Sequence, residues 1–100
     1  MDFQELQNLG AFVDSRPQMR KVKIGENEVE VGVECLGFAE TLKLRGEKPP
    51  EEYCPAFIAR CIHFDGGKKM TEAQARALTP EAAQAFLAVI REVNEGPKAS

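Results

Sequence analysis

The chain changes its hydrophobic period part-way along. From Met19 apolar residues recur at every second position: Val22 and Ile24 alternate with Lys21 and Lys23, and after Gly25-Glu26-Asn27, Val29, Val31 and Val33 alternate with Glu28, Glu30 and Gly32. Alternate side chains of a strand point to opposite faces, so this stretch predicts a β-hairpin, its turn using Gly25 and Asn27, both tolerant of positive φ. Lysines on one strand face glutamates on the other, as cross-strand pairs or as a plain solvated surface. From Leu36 the spacing becomes three and four. Leu36 to Arg45 offers Phe38, Leu42 and Arg45 on one side, with Leu36, Ala39 and Lys43 beside them, a helix closing at Gly46. Glu51 to His63 carries Cys54, Phe57, Ile58, Cys61 and Ile62 at helical spacing; its start falls between Pro50 and Cys54, and Pro55 lies either near that start or at a kink.

The C-terminal third is the most heavily punctuated. Asp65-Gly66-Gly67 forces a turn, because two glycines supply φ values that other residues avoid. Thr71 followed by Gln74 is a capping box, in which each side chain bonds the other residue's backbone N–H. Thr79 before Pro80 opens a second helix running to about Asn94, with Ala82, Phe86, Val89, Ile90 and Val93 on one stripe and an end expected near Gly96-Pro97. At the other end, Asp2 to about Leu9 predicts a short helix capped by Asp2 and closed at Gly10, and Ala11 to Gln18 reads as a connector. An isolated two-stranded hairpin is marginal in water, so helices must cover its Val/Ile face. The expected fold is α+β and mainly α-helical: one domain over residues 1–96, an N-terminal hairpin packed on three to four short helices, and a disordered tail over 97–100.

Length and charge narrow the functional classes. One hundred residues make one domain that can bury a core without metal or disulfide support. Thirteen basic and 16 acidic residues, net −3, spread over both halves, leave no electrostatic footprint for nucleic acid or an anionic membrane. Apolar runs are too short to span a bilayer, and MDFQELQNLG lacks the basic and apolar regions of a signal peptide, so a cytosolic protein is expected. Cys35, Cys54 and Cys61 have no knuckle spacing for zinc and read as small buried hydrophobes. A Cys61–His63 nucleophile pair is the sharper alternative, but two positions apart on a helix point to different faces, and no orienting acid accompanies them. Gly66-Gly67-Lys68 lacks the first glycine and the spacing of a phosphate loop, and no strand is expected before it. Neither catalysis nor a cofactor or metal is expected.

The order of these phrases resembles the tail assembly chaperones of long-tailed bacteriophages and prophages. A Val-rich hairpin, LGFAE at 36–40, IARC at 58–61, Asp-Gly at 65–66 and TEAQARALTPEAAQAFLAVIREVN at 71–94 carry the resemblance, which covers roughly Lys21 to Gly96. LGFAE is similar to the family's Leu-[Ser/Thr]-Phe-Ala-Glu; Gly37 departs from it, leaving open whether the following helix begins with a side-chain cap. The resemblance implies a small, mainly helical protein of the host bacterial cytoplasm that is absent from the mature virion. It implies coating of the tape-measure protein, recruitment of tail-tube protein, self-association into spiral arrays, and often a longer frameshifted form.

A reversible binder of that kind needs moderate apolar patches rimmed by charge. Phe57 and Phe86 fall on the main apolar stripes and are assigned to the core. That leaves Phe12, Phe38 and Phe64 as partner-binding candidates, with Phe64, beside the glycine turn, expected to be exposed. The competing reading is a small helical regulatory or DNA-binding module built on the two capped helices. Its second helix begins Pro80-Glu81-Ala82-Ala83, which puts negative charge where a recognition helix meets DNA.

Overall fold

Residues 2–8 and 16–94 are described by a computed structural model of the chain; Phe12, the helix stop at Gly96-Pro97 and the 97–100 tail lie outside them. The period-two region forms the expected hairpin, β1 (Gln18–Ile24) and β2 (Asn27–Val33), with Lys21 opposite Glu30 and Lys23 opposite Glu28. Within the hairpin only Gly25 takes a positive φ, 63°. A two-residue turn with glycine at its first central position needs no second such residue, so Asn27 opens β2 instead of serving the turn. Glu81 accepts a 2.9 Å hydrogen bond from Gly25 N–H and fixes the hairpin tip to the last helix.

The helices follow as α1 (Phe3–Asn8), α2 (Phe38–Arg45), α3 (Pro50–Cys61), α4 (Glu72–Arg76) and α5 (Pro80–Asn94). Asp2 caps α1 by accepting from Glu5 N–H at 2.8 Å. Gly37 precedes α2 without a side-chain cap, and Gly46 ends that helix at φ 51°. Pro55 lies inside α3, whose first helical residue is Pro50. At α4 both halves of the capping box form: Gln74 N–H donates to Thr71 Oγ1 at 3.1 Å, and Thr71 N–H to Gln74 Oε1 at 2.9 Å. Replacing Thr71 with Ala is expected to cost about 1 kcal/mol, measured by urea denaturation; an unchanged midpoint would show that α4 is held by packing alone.

One element departs from the periodicity. Ile62 and His63, expected to end a helix, leave it and form a third strand, β3 (Ile62–His63), antiparallel to β2 through Gly32–His63 and Val33–Ile62. The sheet order is β1-β2-β3. Two residues cannot display a period, and the pairing is set by β2, some 30 positions away in sequence. The inner face of the sheet meets α3 and α5 in a two-layer packing. Val22, Val31, Val33, Ile58, Cys61 and Ile62 lie at its centre; the whole predicted α5 stripe is buried, with Phe86, Val89, Ile90 and Val93 in the same core. The architecture is therefore α+β and mainly helical.

The crossover from β2 to α2 is tied to the last residue described in α5. Asn94 Oδ1 accepts from Leu36 N–H at 2.7 Å, while its Nδ2 donates to the carbonyls of Glu34 and Ile90 at 3.3 and 2.8 Å.

Candidate functional site

Helix α2 displays its apolar side to solvent. Phe38 is 81% exposed and Leu42 52%. At a spacing of four they sit one above the other on the same helix face. Leu36, just before the helix, is buried, and Leu44 on its opposite side packs half-buried against the core. The core takes neither of the two predicted sides whole: Leu36 is buried, Ala39 and Lys43 are exposed, and the inward residue of the helix is Leu44, which the periodicity places on neither. Two contacts join the helix to α3. Arg60 Nη2 reaches Glu40 Oε2 at 3.2 Å, and the Arg45 guanidinium lies 5.6 Å from the centre of the Tyr53 ring. The result is an exposed apolar pair on α2 with the basic side chains Lys43 and Arg45 beside it, while Glu40 points the other way, toward Arg60.

The other two candidates are placed differently. Phe64 is half-buried, not open to solvent, and packs edge-on against Phe86 with ring centres 6.3 Å apart. The Asp65-Gly66-Gly67 turn folds its backbone back and directs the ring inward: Phe64 N–H donates to Lys68 O at 2.7 Å and Gly67 N–H to Phe64 O at 3.0 Å. Phe12 lies outside the described residues. Phe57 is half-buried beside the core and Phe86 fully buried within it.

A polar cluster that sequence reasoning missed lies at the end of β2. Glu34, its side chain 15% exposed, accepts from Arg60 Nη1 through Oε2, and His63 Nε2 lies 3.1 Å from Oε1. The new strand β3 delivers His63 to this position, so no helical spacing could have revealed it. Burial opposes the Arg60 charge, but the hydrogen bond and the charge of Glu34, with Glu40 behind them, outweigh it and raise the Arg60 pKa. The cluster joins β2, β3, α2 and α3.

The same environment disarms Cys61. Its thiol is fully buried and its pKa is pushed up to about 12, first by burial and then by the Glu34 charge. A nucleophilic cysteine needs the opposite shift. Cys35 is also raised by burial, and both Cys35 and Cys54 are half-buried where full burial was expected. Because the unfolded thiol ionises near its ordinary value of 9.0, Cys61 contributes stability below that pH. The contribution is lost as pH rises from about 9 toward about 12. Alkaline unfolding should therefore be shallower across that window for Cys61→Val than for the parent chain. Parallel curves would refute the assignment.

The glycine turn does follow a strand, β3, contrary to expectation. Gly67 N–H nevertheless closes the turn on the Phe64 carbonyl, and the next helix opens with Glu72 in its first turn. No group of three or more His, Cys, Asp or Glu positioned for a metal occurs among the described residues. No helix among them is long and apolar enough to cross a membrane. At the start of α5, Glu81 is committed to the hairpin tip. No family model matches the chain, and neither a curated protein nor a solved structure matches it.

Proposed function

We propose that this protein is a phage tail assembly chaperone that binds the tape-measure and tail-tube proteins non-covalently, with α2 as its principal contact. The observation that carries the binding role is the exposed Phe38–Leu42 pair on a helix joined to α3 by Arg60–Glu40 and Arg45–Tyr53. The choice of partners comes from the succession LGFAE, IARC, Asp-Gly and TEAQARAL. An aromatic and an aliphatic side chain one turn apart match the i, i+4 anchors by which helices engage apolar partner surfaces. The charged rim suits a contact that must later be released.

Co-expression with the neighbouring tape-measure and tail-tube proteins is expected to give a complex that survives affinity capture. Phe38→Asp should leave the unfolding midpoint within about 0.5 kcal/mol of the parent, as for other exposed positions. The same substitution should lower capture about tenfold or more, in line with an aromatic hot spot. A folded parent chain that captures neither protein sinks the reading. Undiminished capture by Phe38→Asp moves the contact away from α2.

A further inference from the structure

The sheet has an open side. β1 pairs with β2 on one edge only, and no strand among the described residues occupies the other. In a hairpin closed by two residues the flanking pair, Ile24 and Asn27, exchanges both backbone hydrogen bonds, and alternate pairs follow suit. Lys21 and Lys23 fall in the intervening pairs, so their N–H and C=O groups point away from β2, into the open edge. Farther along, the Met19 carbonyl accepts from Arg20 Nη1 at 3.0 Å, which leaves Lys21 to Ile24 as the available stretch.

Along this edge runs a groove of about 240 Å³ between β1 and α5. Its floor on the helix side is Ala85 and Ala88, and Glu92 closes one end, 3.9 Å from Arg20. Two alanines leave space beside the strand that larger side chains would fill. Among the described residues Lys21 on the outer face is engaged only by Glu28, at 3.9 Å with both side chains exposed, and Lys23 has no ion-pair partner.

We propose that the open edge of β1, over Lys21 to Ile24, receives an extended segment of a partner protein in which acidic residues alternate with small apolar ones. The segment adds a fourth strand by backbone hydrogen bonding. Its acidic side chains lie over Lys21 and Lys23 on the outer face, and its apolar ones enter the groove over Ala85 and Ala88. β2 already shows the chemistry on the opposite edge, where Glu28 and Glu30 face Lys23 and Lys21 while Val29 and Val31 alternate with them. Edge lysines discourage indiscriminate strand pairing, and the same charge selects an acidic strand. A second β1 would oppose lysine to lysine. The outer edge of β2 in a second copy brings a Glu28 already engaged by its own Lys21, whereas a free segment brings carboxylates with no such partner. The proposal stands on the strand edge and is independent of the role given to α2.

The test uses the full chain and a synthetic peptide copying Asn27–Val33, Asn-Glu-Val-Glu-Val-Gly-Val, labelled for fluorescence anisotropy. Saturable binding is expected, with amide signals of Lys21 and Lys23 shifting downfield and gaining protection from exchange. Methylating alternate backbone nitrogens of the peptide, or replacing its glutamates with lysine, should weaken binding about tenfold or more. Ala88→Trp, at an exposed position and with folding verified by a thermal melt, should do the same by filling the groove. Absence of saturable binding, equal binding of the methylated peptide, or signal changes confined to α2 would overturn the proposal. So would concentration-dependent self-association through this edge that excludes the peptide.

Discussion

Phe86→Ala is expected to destabilise the protein by about 3–5 kcal/mol, the usual cost of removing a buried aromatic ring and leaving a cavity. Phe86 is 3% exposed and stands mid-way along the buried stripe of α5, where it meets the core and the edge of the Phe64 ring. Domains of this size have only about 5–15 kcal/mol in hand, so the variant should be partly unfolded near body temperature. Phe86→Leu keeps most of the buried area and should cost distinctly less. Urea denaturation followed by far-ultraviolet circular dichroism measures both. A loss below about 1 kcal/mol for the alanine variant, smaller than most core truncations, would mean that α5 is not the principal cover of the sheet.

The second large effect is expected at a charged residue. Glu34→Ala removes the carboxylate shared by Arg60 and His63, and about 2–3 kcal/mol should be lost, the range for hydrogen bonds to charged groups whose partners are left half-buried. Arg60 keeps Glu40 at 3.2 Å, which limits the damage. A double-mutant cycle with Arg60→Ala separates the pair from its surroundings: the two losses should fall short of additivity by about 0.5 kcal/mol or more. Full additivity would show that Glu34 acts through some contact other than Arg60.

These two residues also mark how far the sequence could be read. Phe86 was visible because a 15-residue helix repeats its period four times and is bounded by Thr79-Pro80, so the buried stripe could be assigned residue by residue. The hairpin was equally legible, since its alternation is unbroken on both sides of a glycine turn. Glu34 and His63 were not visible as a pair. Their meeting depends on β3, two residues long, whose conformation follows from pairing with Gly32 and Val33 and not from any local preference. Helix α2 shows a different limit. Its pattern grouped Phe38 with Leu42 and left Leu44 out, and tertiary packing turns Leu44 inward while Phe38 and Leu42 face solvent. Phe64 was misread because a glycine turn suggests a loop tip, yet the turn's own hydrogen bonds fold the ring back onto Phe86.

The Asn94 side chain bonds Leu36, 58 positions earlier, and Val93 completes the buried stripe beside it. During synthesis, then, the inner face of the hairpin is finished long before its cover exists. At about 5–20 residues per second, the ribosome needs roughly 3–12 s to travel the 60 positions from Val33 to Val93, because 93 − 33 = 60. Throughout that interval Val22, Val31 and Val33 have no α5 to pack against. The growing chain passes through seconds of obligatory exposure, and it must rely on dilution, on the hairpin's own charges or on other proteins to stay out of aggregates.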